Sequence, residues 1–228
     1  MGRDAGFIQR SILMAIEMDL TDVRREYESH GMFRKDMDSD PLVQFGHWLQ
    51  RARDLQLLDA TAMTLATADS AGRPSARIVL LKHFDDDGFC WYTDSRSQKG
   101  RELDANPQAS LLFHWRDLSR QVRVHGAASM LSAEEAEKYF MMRPEGSRFS
   151  AAASHQSAVI ENRSSLEDEV LRLRAAYPDG DVPRPAGWLG YRLVPDYFEF
   201  WQGQDSRLHD RIIYLPEAGG WNMQRISP

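Results

Sequence analysis

The chain has 228 residues, a formal net charge of -6, a pI near 5.7 and 42% hydrophobic residues. This content is enough for the core of one large domain, and the acidic balance argues against a general nucleic-acid binder. The single cysteine, Cys90, excludes an internal disulfide framework and a cysteine-based metal cluster. No stretch approaches the roughly 20 apolar residues that span a bilayer, and we expect a cytoplasmic protein.

The sequence predicts a flexible extension over residues 1–20 and a single domain over residues 21–228, because no linker divides it. A first helix is predicted over 21–30, where a glycine closes it. A second helix begins at Asp40-Pro41, with proline in its first turn. Apolar residues then recur at helical spacing as far as residue 55, which indicates a face packed in the core.

From residue 62 onward, the pattern changes to short strands separated by turn signals. The first three strands are expected to form an antiparallel meander, and a capping box at Ser132 predicts a helix that ends before Pro144. Predicted strands cover 62–67, 75–84, 89–93, 109–115 and 120–130, with two or three more after a loop over 178–185, and predicted helices cover 97–106, 132–143 and 165–176. The fold class is therefore mainly β with peripheral helices (α+β), in a small barrel whose closure removes exposed strand edges.

Three constellations in this framework could bind anions. Arg77 and Lys82 flank a hydrophobic strand and, by alternation, are expected on opposite faces, although strand-end cations are often simply solvated. Residues 92–100 join a strand end to a helix start, where free N–H groups and a lysine favour a phosphate. Tyr139, Arg143 and Ser147 are spaced by about one helical turn. They could converge on one small anion, or share a surface by coincidence.

A fourth constellation follows Trp201 near the end of the chain. If this segment is one strand, Arg207, His209 and Arg211 share a face, which favours an anionic or aromatic ligand; the alternative is a solvated hairpin edge. The seven histidines lack metal-binding spacing, so no metal site is predicted, and no G-x-S-x-G elbow supports a hydrolase. The two separate phosphate-type sites, at 92–100 and at Tyr139 to Ser147, together with Trp201 and Arg207 beside His209, suggest a phosphorylated planar cofactor that faces a phosphorylated substrate.

In their order and spacing, these motifs resemble the pyridoxamine 5'-phosphate oxidase family over residues 20–228. The resemblance rests on RIVLLK at 77–82, YT at 92–93, KYF at 138–140, RP at 143–144, QS at 156–157, FWQG at 200–203, RLHDR at 207–211 and WxxxRxxP at 221–228. It implies a split β-barrel that binds FMN at the interface of a homodimer. The implied reaction oxidises pyridoxamine or pyridoxine 5'-phosphate to pyridoxal 5'-phosphate, with O2 as electron acceptor and hydrogen peroxide as product.

The resemblance also implies residue roles, carried over motif by motif. The implied FMN site consists of Arg77, Ile78, Val79, Leu80, Leu81, Lys82, Tyr92, Thr93, Gln98, Lys99, Gln121, Gln156, Ser157, Trp201 and Arg211. The implied substrate site consists of Arg24, Arg25, Glu26, Tyr27, Lys82, Tyr139, Arg143, Ser147, Arg207 and His209. Of these, Arg207 and His209 are the implied catalytic residues, and the RREY element at 24–27 would cover the substrate as a lid.

One position departs from the family pattern. Gln98 stands where family members commonly carry arginine, so the cofactor phosphate would rely more on Arg77 and Lys99. Two other functions remain open. One is an FMN oxidase of the phenazine-biosynthesis type, which SQKGREL at 97–103 resembles but which tends to lose the substrate-phosphate lysine. The other is a non-catalytic flavin- or haem-binding split-barrel protein, in which the substrate constellation would have no purpose.

Overall fold

The computed structural model describes residues 31–228, and the predicted extension and first helix lie outside this range. In the described part, five α-helices surround one nine-stranded sheet, which confirms the predicted mainly β class with peripheral helices. The helices are α1 (Pro41–Asp54), α2 (Gln98–Ala105), α3 (Ala133–Met142), α4 (Glu145–Ala153) and α5 (Ser164–Ala176). The strands are β1 (Ala62–Ala68), β2 (Pro74–Leu80), β3 (His83–Asp85), β4 (Gly88–Asp94), β5 (Gln108–Trp115), β6 (Arg120–Met130), β7 (Trp188–Gln202), β8 (Asp210–Glu217) and β9 (Gly220–Ile226).

The strands follow the order β2-β1-β5-β6-β7-β4-β3, and β8 and β9 join the sheet through β7. All of the pairings are antiparallel. The predicted hairpins β1–β2 and β3–β4 are present, but the predicted meander is wrong because β2 and β3 lie at opposite ends of the order. The buried Leu81 still donates its N–H to Thr61 O beside β1, whereas the Lys82 N–H donates to Cys90 O on β4, both at 2.9 Å, so the chain changes partner strand between these two residues.

Helix α1 begins and packs as the sequence predicts. The Asp40 carboxylate accepts the Leu42 N–H at 2.8 Å, and Pro41 occupies the first turn, where a missing N–H has no cost. The helix then buries Phe45 against rings from three strands, with centroid distances of 5.0 Å to Phe84, 4.9 Å to Phe89 and 4.8 Å to Phe113. This aromatic contact between α1 and the sheet forms the centre of the main core.

A second, smaller core joins the helices α3, α4 and α5 to the start of β7. It contains five buried residues: Phe140, Phe149, Leu173, Val182 and Trp188. The predicted capping box of α3 is present, since the Ser132 hydroxyl accepts the Glu135 N–H and the Glu135 carboxylate accepts the Ser132 N–H. Helix α4 was not predicted, because Pro144 ends one helix and also opens the next at its N-cap.

The connection from β7 to β8 differs from the prediction of a continuous strand. β7 ends at Gln202, and a single 3-10 turn covers Asp205–Arg207 before β8 begins. Ser206 and Arg207 have φ angles of 53° and 61°. A left-handed backbone breaks the two-residue alternation, so Arg207 and His209 lie in a loop, and the predicted shared strand face with Arg211 is wrong.

Among the described helices, none combines the length and apolar composition needed to cross a bilayer.

Candidate active site

A cavity of about 510 Å³ lies where β2 and β4 meet α2 and the corner between α3 and α4. Its walls are formed by Arg77, Ile78, Val79, Leu80, Lys82, Tyr92, Thr93, Lys99, Tyr139, Met142, Arg143, Pro144, Ser147, Gln156 and Trp188. Twelve of these fifteen are predicted site residues, and Met142, Pro144 and Trp188 are not. Arg77 and Lys82 line the same cavity, so their predicted placement on opposite faces is wrong: β2 ends at Leu80, and alternation does not extend to Lys82.

A cluster of polar groups around Lys99 forms one end of the cavity. The Lys99 ammonium donates to Gln156 Oε1 at 2.6 Å and to Thr93 Oγ1 at 3.2 Å, both neutral oxygens. Ser97 caps α2 by accepting the Gly100 N–H at 3.3 Å, which places Lys99 in the first turn of the helix. Burial, with the positive charge of Arg77 as a second cause, lowers the pKa of Lys99. An anion bound here would relieve both effects.

Arg77 lies beside this cluster and is held by residues outside the cavity. Its Nη1 donates to Thr67 Oγ1 at 2.5 Å, and its Nη2 donates to Ser75 Oγ at 2.5 Å and to Glu102 Oε2 at 3.2 Å. Sequence reasoning missed Glu102. The available signal was its position four residues after Gln98 on α2, a spacing that lets two side chains meet on a helix.

The other end of the cavity is aromatic and carries Arg143. The rings of Tyr92 and Tyr139 stack at 4.0 Å, and Trp188 stacks on Tyr92 at 5.5 Å. The Arg143 guanidinium lies 4.9 Å from the centroid of Trp188. Its Nη1 is buried and has no hydrogen-bond partner within residues 31–228. Burial lowers the pKa of Arg143, so this group would gain from an anionic acceptor in the cavity.

Tyr139, Arg143 and Ser147 do converge on one cavity, although a single helix does not arrange them. Tyr139 belongs to α3, Arg143 is the residue at which α3 ends, and Ser147 belongs to the first turns of α4. The corner at Pro144 turns all three side chains towards the same space. The predicted convergence of these three residues is therefore correct, but the break between α3 and α4 causes it and not the spacing along one helix.

A second group of predicted residues lies on β6, β7 and the loop before β8. In the sheet register, Trp201 pairs with Gln121 on one side and with Arg211 on the other, and the Trp201 ring lies 4.6 Å from that of His209. Arg211 makes a two-pronged ion pair with Glu199, at 2.8 and 3.0 Å. The 510 Å³ cavity is not lined by any of the residues of this group, which are Gln121, Trp201, Arg207, His209 and Arg211 of the described chain.

His209 is held in one orientation by its neighbour. The Gln204 N–H donates to His209 Nδ1 at 3.1 Å, so Nε2 carries the proton when the ring is neutral. Burial, with the charge of Arg207 as a second cause, lowers the pKa of His209 and favours this neutral form.

The predicted site residues Leu81, Gln98 and Ser157 do not form the cavity wall. Leu81 is buried in the main core. The Gln98 side chain turns towards Glu102, donating at 2.8 Å, and the Gln98 N–H donates to Ser157 Oγ at 3.2 Å. The predicted lid residues 24–27 lie outside the described residues.

A larger cavity of about 650 Å³ lies between α4 and α5. Its walls are mostly small or apolar, with one exposed ion pair, Arg163–Glu167. The candidate site is assigned to the smaller cavity because cations, hydroxyls and stacked aromatic rings converge there.

The comparison with known families decides the identity of the scaffold. The model described as pyridoxamine 5'-phosphate oxidase matches residues 49–177, which is more than half of the chain. The chain belongs to the pyridoxamine 5'-phosphate oxidase family. A second model, described as the pyridoxine 5'-phosphate oxidase C-terminal dimerisation region, matches residues 188–228. The family resemblance predicted from the motifs is thereby confirmed.

Curated relatives in this family match nearly the whole chain. The pyridoxine/pyridoxamine 5'-phosphate oxidase of Paraburkholderia phymatum is 50% identical over 210 residues, covering 92% of this chain and 99% of the relative. The protein of the same name from Vibrio cholerae is 47% identical over 211 residues, covering 92% of this chain and all of the relative.

Solved structures in the comparison support the split-barrel fold. PhzG from Burkholderia lata, in complex with tetrahydrophenazine-1-carboxylic acid, has a TM-score of 0.82 and 33% identity, covering 87% of this chain and 98% of that protein. A pyridoxamine 5'-phosphate oxidase-related, FMN-binding protein from Nostoc punctiforme has a TM-score of 0.64 at 18% identity, covering 81% and 95%, respectively. The predicted split barrel of this family is confirmed.

Proposed function

We propose that this chain is an oxidase that converts pyridoxamine 5'-phosphate and pyridoxine 5'-phosphate to pyridoxal 5'-phosphate, with FMN as cofactor and O2 as electron acceptor. The observation that carries the proposal is that Lys99 and Arg143, two partly buried cations, line one and the same cavity. FMN and a pyridoxine-type substrate each carry a phosphate, so a cavity that binds both with their rings in contact needs two separate cationic groups. Identities near 50% to curated oxidases over most of the chain support the same activity.

The donors around Lys99 fit the phosphate of FMN. Lys99, Thr93 and Gln156 already cluster there, and the buried Lys99 ammonium is compensated by neutral oxygens alone in its described contacts. The edge of β2, with exposed Ile78 and Leu80, would lie along the flavin. The chemistry that FMN would supply when bound is acceptance of a hydride from the substrate carbon and transfer of the electrons to O2, giving hydrogen peroxide; the imine formed from the amine substrate would be hydrolysed by water to the aldehyde, releasing ammonia.

The other end fits the phosphate of a pyridoxine-type substrate. Arg143 presents a buried N–H that lacks a partner in the described part of the chain, and Tyr139, Ser147 and Lys82 surround the same space. Arginine donates to phosphate with a planar fork, and its stacking on Trp188 fixes the direction of that fork. Substrate binding here would orient the reacting carbon and exclude water from it.

Homodimerisation would bring the second group of residues to this cavity. Trp201, Arg207, His209 and Arg211 all lie within the matched dimerisation region, and the described chain holds them away from its own cavity wall. In a homodimer with an isologous interface, both copies contribute the same surface, so each loop can reach the partner's cavity. Arg207 and a neutral His209 with a proton on Nε2 would then contact the pyridine ring of the substrate.

The deciding test is aerobic turnover of pyridoxamine 5'-phosphate by the FMN-loaded protein, with pyridoxal 5'-phosphate and hydrogen peroxide measured together. Matched formation of both products is expected, with unphosphorylated pyridoxamine converted much more slowly. Arg143→Ala is the matched variant, because it should lose most of the preference for the phosphorylated substrate. Flavin binding without either product would contradict the proposal.

A second candidate is an oxidase of the phenazine-biosynthesis type, favoured by the structural match to PhzG. The arrangement of Lys82, Tyr139 and Arg143 around one cavity argues for a phosphate ester instead. Turnover of a reduced phenazine carboxylic acid, with none of pyridoxamine 5'-phosphate, would favour this candidate. Flavin binding with no turnover of either would favour a non-catalytic carrier.

A further inference from the structure

Glu102 lies behind the cofactor end of the cavity and accepts hydrogen bonds from four side chains, of which Arg77 lines the cavity. Its side chain is buried, with 7% of the residue exposed, and does not line the cavity. Oε2 accepts from Thr67 Oγ1 at 2.5 Å, from Ser75 Oγ at 2.6 Å and from Arg77 Nη2 at 3.2 Å. Oε1 accepts from Gln98 Nε2 at 2.8 Å. One carboxylate therefore joins β1, β2 and α2.

Besides the direct bond between Glu102 and Arg77, the hydroxyls of Thr67 and Ser75 each form a bridge between these two side chains. Each hydroxyl donates to Glu102 and accepts from one terminal nitrogen of Arg77, so the guanidinium is held at both Nη1 and Nη2. Burial opposes ionisation of Glu102, but the hydrogen bonds from Ser75, Thr67, Gln98 and Arg77 outweigh it and lower its pKa to about 2. The carboxylate is thus charged at neutral pH and locks the Arg77 side chain.

This arrangement is difficult to explain as a stabilising ion pair alone. Desolvation offsets most of the Coulombic gain of a buried pair, so a pair of well-packed apolar residues in its place would give similar stability, although loss of one partner alone is destabilising. A negative charge beside a phosphate site also opposes anion binding. What the network does achieve is one fixed orientation for Arg77 and for Gln98 at the start of α2.

We propose that Glu102 is a positioning residue for the cofactor phosphate: it holds Arg77 in the orientation in which, with Lys99, it binds that group. The inference rests on the proposed FMN function. It deepens that function by assigning phosphate discrimination to a residue that does not touch the cavity. Without Glu102, Arg77 would keep its charge but lose its fixed direction, and directed hydrogen bonds to phosphate would be lost.

The test is the ratio of the dissociation constants of riboflavin and FMN, measured by flavin fluorescence quenching on the apoprotein. The two ligands differ only in the phosphate, so a general loss of folding changes both constants and leaves the ratio unchanged. Glu102→Ala should lower the preference for FMN by about tenfold or more, as expected for loss of charge-assisted hydrogen bonds. Glu102→Gln should stay within about threefold of wild type, because a glutamine can still present an oxygen to Thr67, Ser75 and Arg77, and its NH2 can donate to the oxygen of Gln98 once the Gln98 amide flips.

Two further variants keep the test decisive. Asp104→Ala removes an exposed carboxylate from the same helix and should leave the ratio unchanged. Thr67→Val removes one linking hydroxyl at nearly constant volume and should lower the ratio if Glu102→Ala does not fold. An unchanged ratio in both Glu102→Ala and Thr67→Val would overturn the inference. A wild-type protein that binds riboflavin as tightly as FMN would instead overturn the proposed cofactor, and the inference with it.

Discussion

At the residue scale, the site depends on cations whose surroundings are neutral or aromatic. Lys99 contacts neutral oxygens, and Arg143 lies against Trp188 with a buried nitrogen that lacks a partner in the described range. Burial lowers the pKa of both groups because it disfavours the charged form. A bound anion would favour the charged form and raise both pKa values again. Arg77 differs, because Glu102 already balances its charge.

Replacing Lys99 tests the cofactor end. Lys99→Met should weaken FMN binding by about 10- to 100-fold, the expected loss for a charge-assisted bond in a partly buried site. Riboflavin binding should change by less than about threefold, since it lacks the phosphate. Lys138→Met, at an exposed position on α3, is the control. Equal weakening of both flavins, measured by fluorescence titration, would remove Lys99 from the phosphate site.

Arg207 tests the proposed separation between binding and chemistry. Arg207→Ala should reduce kcat/KM for pyridoxamine 5'-phosphate by at least about 100-fold while FMN affinity stays within about threefold, because this side chain is assigned to the substrate. Steady-state kinetics and a flavin titration on the same preparation measure the two effects. Comparable losses in both would contradict the assignment.

The ionisation of Glu102 predicts a pH dependence of stability. Folding lowers the pKa of Glu102 from 4.5 to about 2, so its stabilising contribution is complete above about pH 4.5 and is lost as the pH falls towards 2. Glu102→Gln lacks this titration. The difference in urea midpoint between wild type and Glu102→Gln should therefore shrink between pH 6 and pH 3.5. A difference that stays constant over this range would show that Glu102 keeps an ordinary pKa.

At the element scale, breaks in secondary structure place the functional side chains. The break between β2 and β3 turns Lys82 into the cavity, and the corner between α3 and α4 brings Arg143 and Ser147 together. The left-handed turn at Ser206 and Arg207 lifts the loop out of the sheet. Regular elements provide the scaffold, and the candidate site residues Lys82, Arg143, Ser147 and Arg207 lie at or just beyond the ends of these elements.

The cap of α3 should contribute stability without affecting the chemistry. Ser132→Ala removes the hydroxyl that accepts the Glu135 N–H but keeps the backbone N–H that donates to the Glu135 carboxylate; it should cost about 1 kcal/mol, lowering Tm by roughly 2–4 °C. Ser164→Ala, which removes an exposed hydroxyl at the start of α5, should shift Tm by less. At 25 °C, kcat/KM should be unchanged, because α3 stays folded. A large kinetic defect would show that the cap sets the position of Tyr139.

At the scale of the whole molecule, the proposed active site needs two copies of the chain. In one copy, Lys99 and Arg143 line the same cavity, and the loop with Arg207 and His209 does not line it. The matched dimerisation region contains that loop. In this proposal, the cavity of one copy is inactive unless the loop with Arg207 and His209 of the partner copy completes it.

Mixed dimers test this arrangement directly. Arg143→Ala and Arg207→Ala homodimers should each be nearly inactive, but a heterodimer of the two has one cavity in which both residues are intact. Random mixing makes about half of the dimers heterodimers, so co-refolded or co-expressed protein should recover about a quarter of wild-type activity. No recovery, with heterodimers confirmed by differential tags, would place both residues in a site built from one chain.

The sequence by itself determined the family, most of the secondary structure and the residue types of the site. Caps, turns and alternating apolar residues act over a few positions, so α1, the capping box of α3 and the β1–β2 hairpin could be predicted locally. Motif order was enough to identify the family. These features depend on neighbours along the chain or on residue identity alone.

Only the tertiary structure decided the strand order, the shared cavity of Arg77 and Lys82, and the hydrogen bonds of Glu102. Each of these depends on contacts between residues distant in sequence or on a backbone break. The pairing of β4 with β7 depends on distant partners, and the positive φ angles at residues 206 and 207 cancel an alternation that the sequence suggested. Local patterns carry no information on such contacts, because long-range packing sets them.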